Sequence, residues 1–197
     1  MGNESNAAAQ RGTTPSFRNS NRWDTRQLVV MGLLCAIGVL LSFVEFPIFP
    51  AAPWLKYDAS FVAYMVAGFA YGPGAGLAVG ITAIVIHGLM DGNLWGAAMN
   101  VLVLVGFLWP AAVIYMRKRT LGRAVVGLLV GCVCALAMAI VGNIVVTPIY
   151  SGMPREAVID LILPVLLPFN AMKAGLNTVL TLAVYKSISL LIKPQRR

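Results

Sequence analysis

The chain has 197 residues, of which 59% are hydrophobic and only 11% charged, against roughly 25% charged in an ordinary soluble domain. A single domain of this size cannot hide so much apolar surface from water, which excludes a soluble globule and, for most of the chain, disorder. The net charge of +8 would suit a nucleic-acid partner in a soluble protein, but here the placement of the charges decides, and no nucleic acid is expected.

Residues 1–26 are polar and carry Arg11, Arg18, Arg22 and Arg26. With no apolar segment and no small-residue cleavage site, they read as a disordered cytoplasmic tail. Leu28 to Val44 is free of charge and proline and is predicted to span the bilayer. Ser60 to Met90 carries no formal charge but is broken by Gly72-Pro73-Gly74 into a short helix, Ser60–Tyr71, and a longer one, Ala75–Met90. The short piece covers about 18 Å at about 1.5 Å per residue, less than a full span of about 30 Å. Interrupted spans are tolerated where the backbone faces protein or a wet cavity, which places the site nearby. Leu94 to Met116, Ala124 to Tyr150 and Leu161 to Tyr185 complete the set. The fold class is therefore an all-α integral membrane protein with six transmembrane helices. It is divided into a tail (1–26), a six-helix domain (27–193) and a basic end (194–197). The three cysteines, Cys35, Cys132 and Cys134, lie in apolar runs and imply no disulfide framework.

Charge sets the orientation. Of the fifteen Lys and Arg, four lie in the amino tail, four in Arg117, Lys118, Arg119 and Arg123, and four in Lys186, Lys193, Arg196 and Arg197. Only Lys56 and Arg155 fall on the opposite side, and Lys173 is within the membrane. The positive-inside rule then puts both termini in the cytoplasm, as expected of a multi-pass protein of a bacterial plasma membrane.

Few chemistries remain open. There is no Walker loop, and His87 is the only histidine, so the two-histidine metal motifs are impossible. No Gly-x-Ser-x-Gly elbow is present. No catalytic residue, metal site or cofactor is expected, and an ATP-driven motor would have to sit on another chain.

The informative polar residues are few. Lys173 lies inside the last span, where a lysine costs roughly 2.5–3.5 kcal/mol and usually faces a cavity or partner. Asn170, three residues earlier, shares its helix face. Asn100 and Asn143 also sit in long apolar runs. Asparagines of this kind can glue helices together. Four such groups on three helices are better explained by a polar ligand with an apolar body. The loop Glu45–Asp58, with Trp54, Leu55, Lys56 and Asp58, is rich in proline and aromatics. It reads either as an interfacial anchor or as a lid over an outward-facing pocket. His87 and Asp91, four apart, are expected to form a hydrogen-bonded helix cap, with a proton relay as the alternative. Gly32 and Ala36 place small residues four apart on the first helix, suited to packing within the chain or to docking on another subunit.

Three segments in order, Pro53-Trp54-Leu55-Lys56-Tyr57-Asp58-Ala59-Ser60, Gly68-Phe69-Ala70-Tyr71-Gly72-Pro73 and Leu167-Pro168-Phe169-Asn170-Ala171-Met172-Lys173, resemble the S components of energy-coupling factor (ECF) vitamin transporters, most of all the riboflavin-specific branch. The resemblance covers about Arg26 to Lys193. It implies a bundle that binds riboflavin as cargo from outside. It also implies a transmembrane coupling subunit and two ATP-hydrolysing subunits as partners. Asn170 and Lys173 would line the ligand site, and Asn143, ahead of Pro148-Ile149-Tyr150, matches a family asparagine. The first outer loop would cover the ligand, and Gly32 and Ala36 stand where the family carries its Ala-x-x-x-Ala docking motif. The branch usually continues its Lys-x-Asp segment with Pro-Ser-Asp, whereas this chain has Ala59-Ser60-Phe61. The alternatives are an S component for another vitamin, a stand-alone proton-coupled carrier using His87, Asp91 and Asp58, and a membrane enzyme or scaffold.

Overall fold

The computed structural model describes residues 23–48 and 55–185. The first helix, α1 (Thr25–Phe43), begins three residues before the apolar run because Asp24 caps it. The Asp24 carboxylate accepts from Thr25 N at 2.9 Å, and Gln27 Oε1 accepts from Asp24 N at 3.2 Å. This reciprocal box satisfies amide groups that a helix start otherwise leaves orphaned. Of the expected tails, residues 23–26 are described and hold this cap; residues 1–22 and 194–197 lie outside the described residues.

After α1 come two short antiparallel strands, β1 (Phe46–Pro47) and β2 (Lys56–Tyr57), with Phe46 opposite Tyr57 and Pro47 opposite Lys56. They are the one departure from an all-α architecture among the described residues. Helix α2 (Ser60–Tyr71) ends at Gly72, whose φ of +102° turns the chain directly into α3 (Pro73–Asp91). Proline suits a first helical position, where its missing N–H is not needed, so Pro73 opens α3 rather than breaking it. Helix α4 (Leu94–Arg117) is capped by Asn93, which accepts from Gly96 N at 2.8 Å. Helix α5 (Leu121–Ser151) is the longest at 31 residues.

The last span runs unbroken over Arg155–Ala183. It comprises α6 (Arg155–Leu161), a π-helical turn at Ile162–Leu166, and α7 (Leu167–Ala183). It starts six residues before the expected Leu161, because Arg155, Glu156 and Asp160 continue the helix past the end of the charge-free run. Pro164 and Pro168 bring no N–H to the ladder; the widened turn contains Pro164 and ends two residues before Pro168.

Among the described residues five helices are long and apolar enough to cross a membrane, and α2, at 12 residues, is not. Yet α2 is the centre of the bundle, with nine of its twelve residues buried. Tyr64, Met65 and Phe69 on α2 meet Leu104, Phe107 and Leu108 of α4 in the core. Close approach of α5 to α4 depends on small residues. A Cβ at Gly127 would lie 2.7 Å from the Ala111 carbonyl oxygen, and one at Gly131 would collide with that of Phe107. This is the small-x-x-x-small packing that lets backbones touch where no hydrophobic effect drives helices together.

Gly127→Ala should therefore lower the detergent melting temperature, by an overpacking cost of about 1–3 kcal/mol. Gly122→Ala on the same helix, where nothing lies within 4 Å, should leave it unchanged or raise it. Equal behaviour of the two variants would remove the close α4–α5 contact from the account.

Candidate functional site

The ends of α1, α3, α4, α5 and the last span surround a cavity of about 560 Å3 at the end of the bundle that carries the strands. It exists because α2 is short: its first residue, Ser60, lies at the cavity floor, and the strand pair occupies the space above. Leu55, Lys56, Asp58, Asn100, Asn143, Asn170 and Lys173 all line this one space. Trp54 lies outside the described residues.

The centre of the site is an ion pair that the sequence separates by 115 positions. Lys173 Nζ donates to Asp58 Oδ2 at 3.3 Å and to Asn100 Oδ1 at 3.2 Å. Lys173 and Asp58 are each only 7% exposed, so each charge needs the other. Asp58 Oδ1 accepts from Ser60 N at 3.0 Å and also from Ser60 Oγ, which fastens the carboxylate to the first turn of α2. The Phe61 ring lies 5.2 Å from Lys173 Nζ. At the position where the resemblance would place an acid, an aromatic face meets the ammonium instead. Burial alone would push the Asp58 carboxyl up; the Lys173 charge and the Ser60 hydrogen bonds outweigh it and hold the group below its ordinary range.

The asparagines behave differently from helix glue. Asn143 Nδ2 donates to Ala139 O at 2.7 Å, and its Oδ1 accepts from Thr147 at 3.0 Å, both on α5. Asn170 Nδ2 donates to Leu166 O at 2.8 Å, a carbonyl at the end of the π-helical turn. Among the described residues neither amide bridges two helices, and both residues line the cavity. Of the three asparagines only Asn100 reaches another described helix, through Lys173.

At the rim, Lys56 pairs with Glu45 across the strand pair, both partly exposed, and an exposed pair of this kind adds little stability. Phe46 packs edge-on against buried Tyr57, with ring centroids 5.6 Å apart, and closes the same side. The expected hydrogen bond between His87 and Asp91 is not among those of the described residues. Asp91 is the last, exposed residue of α3, and His87 instead sets its ring edge-on to Phe43 at 4.8 Å. Both still line the cavity.

Gly32 and Ala36 lie elsewhere, on an exposed lateral face of α1 flanked by Leu33, Ile37 and Leu40. Among the described residues nothing lies within 4 Å of a Cβ built at Gly32, so the observed packing of α1 on the bundle is made elsewhere. That part falls to Gly38 on the other side of α1, which Tyr64 covers. Glu45, Ser60 and Thr147 were missed as site residues. Ser60 alone had a legible signal, since Asp-x-Ser ahead of a helix favours a side-chain bond to the amide two residues on.

These features define a multi-pass membrane protein with a ligand-sized, mixed apolar and polar cavity at one end of its helices. The chain belongs to the family of ECF transporter substrate-specific components, which matches residues 26–185. It is therefore a part of a transporter, and the readings as a membrane enzyme, scaffold or stand-alone carrier fall away. It is 28% identical over 183 residues to the riboflavin transporter RibU of Staphylococcus aureus, covering 89% of this chain and 97% of that protein. Identity to the riboflavin transporter FmnP of Bacillus subtilis is also 28% over 183 residues, covering 87% and 96%. Among solved structures, an S component of a bacterial ECF transporter superposes with a TM-score of 0.73 at 28% identity, covering 86% of this chain and 98% of that one. ThiT from Listeria monocytogenes, at 13% identity and a TM-score of 0.61, shares the fold.

Breaking one side of a buried ion pair costs about 3–5 kcal/mol, whereas removing both sides is near neutral. Asp58→Asn should thus lower the melting temperature of the ligand-free protein, and adding Lys173→Met should restore most of it. Because the Asp58 pKa is depressed on folding, its contribution is whole above the unfolded value of about 3.9 and is lost as pH falls through the lower folded value. The gap between wild type and Asp58→Asn should stay constant from pH 7 to about pH 5 and close below about pH 4. A gap that widens on acidification would rule out the pair.

Proposed function

We propose that this chain captures riboflavin in the cavity and passes it to an ATP-driven partner module made of a transmembrane coupling subunit and two ATP-hydrolysing subunits. The observation that carries this reading is the buried Lys173–Asp58–Asn100 cluster at the base of a cavity of about 560 Å3. A flavin ring needs an apolar slot with few polar partners, and its ribityl hydroxyls need the donors and acceptors that Asn143, Asn170 and Lys173 supply. The names of the relatives in Staphylococcus and Bacillus point to the same vitamin. Riboflavin is cargo here, and no resident cofactor enters the reading.

The cavity end faces outward, because the basic residues Arg117, Lys118, Arg119 and Arg123 gather at the opposite ends of α4 and α5. Leu55, Lys56 and Asp58 carry the covering segment, which in sequence follows directly on Trp54. The open face of α1 at Gly32 and Ala36 receives the coupling subunit, where small residues allow two helices to approach closely. Membrane lipid covers the remaining apolar sides.

Protein purified in detergent from cells grown in rich medium should carry flavin absorbance bands in near-stoichiometric amount. Asn170→Ala and Lys173→Ala should each weaken riboflavin binding about 10- to 100-fold, the loss of one hydrogen bond to a charged or buried group. Wild-type affinity in both variants would place the ligand elsewhere.

Ala36→Leu should leave riboflavin affinity unchanged and abolish uptake in cells that also express the coupling and ATP-hydrolysing subunits. Loss of binding together with uptake would put this face inside the ligand-binding fold instead of at an interface.

A further inference from the structure

Beneath the main cavity lies a second one of about 10 Å3. It shares Phe61, Asn170 and Lys173 with the main cavity and reaches on to Phe107, Ala135 and Asn177. Asn177 lies one turn beyond Lys173 on α7 and is 1% exposed. Its Nδ2 donates to the Lys173 carbonyl at 3.0 Å, while its buried Oδ1 accepts from no described residue. A buried amide oxygen left in this way is costly unless something donates to it.

The neighbouring groups have spare capacity of matching kind. An ammonium has three N–H donors, and the described residues take two from Lys173, at Asp58 and Asn100. The Asn170 amide donates to Leu166 O, and no described residue donates to its carbonyl oxygen. Among the described residues, one donor and two acceptors without partners thus belong to the side chains that border a single small space. That space is too small for any part of a ring system and close to the volume of about 10–15 Å3 that one water requires, and such a water needs two to four polar partners.

We infer that this annex is a site for one structural water, which accepts from Lys173 and donates to Asn177 Oδ1 and Asn170. Asn177 is then a positioning residue: the water and Asp58 hold two N–H groups of Lys173, and the remaining one, now on Asn100, is thereby aimed to turn to the cargo. The inference rests on the reading of the main cavity as the riboflavin site. The water also explains why a long polar side chain stands in the core of α7, where an apolar residue would pack without any unmet hydrogen bond.

Two measurements test it. Crystal structures of the full-length protein, ligand-free and with riboflavin, should both show density within hydrogen-bond distance of Asn177 Oδ1 and Lys173 Nζ. An empty annex, or a flavin atom occupying it, overturns the site. Riboflavin titrations by flavin fluorescence should show about tenfold weaker binding for Asn177→Leu, and for Ala135→Val, which fills the annex from α5 without altering a polar group. Asn177→Ser, which keeps a hydroxyl and makes room for water, should stay within about threefold of wild type. Wild-type affinity in Ala135→Val, or a serine variant as weak as the leucine one, overturns the positioning role. Failure of the wild-type protein to bind riboflavin would sink the functional reading alone, since the density in the ligand-free crystal still decides the water site.

Discussion

Two charges that face each other out of water govern how this bundle closes. Lys173 and Asp58 would each be prohibitive alone in an apolar interior, and together they are tolerable only with further hydrogen bonds. Ser60 supplies these to Asp58, and Asn100 and Phe61 attend Lys173. Satisfying the pair draws the start of α2 and the second turns of α4 and α7 to one point. It also fixes where the strand pair must end, because Asp58 follows Tyr57 directly. The cavity is the space left above this knot by a central helix too short to fill the bundle.

In the proposed reading, capture and docking fall on separate surfaces. The cavity opens at one end of the helices, whereas the small residues of α1 lie on its flank. Tyr64 stands between them: it lines the cavity and also covers Gly38 on the inner side of α1. The outer side of α1 can therefore present Gly32 and Ala36 without loss of packing inside, because the contact that holds the helix to the bundle is made elsewhere.

Much of this was legible in the residues, for identifiable reasons. A span is a local property, so charge-free runs and the Gly-Pro-Gly break marked the helices, and α2 came out with its observed bounds. Helix starts that depend on caps or on charged residues were less visible, as at Asp24 and Arg155. Lys173 announced itself by cost alone, but its partner could not be read, since nothing in a linear chain ties position 173 to position 58. The asparagines drew notice only where a long apolar run made them conspicuous. Asn177 passed unremarked, close behind the lysine whose carbonyl it binds.

The π-helical turn at Ile162–Leu166 carries a consequence for how such a site changes over time. A widened turn holds one residue more than the ordinary helix needs, and each residue of an α-helix advances the face by about 100°. Losing a single residue there would leave the span a good helix, of nearly the same length and hydropathy. Because the surplus residue is taken up inside the widened turn, its loss would leave α6 and α7 facing as they do now, and Asn170, Lys173 and Asn177 would keep the partners they meet. This turn is thus the place on the last span where the chain tolerates a change of length without a change in the geometry of the cavity wall.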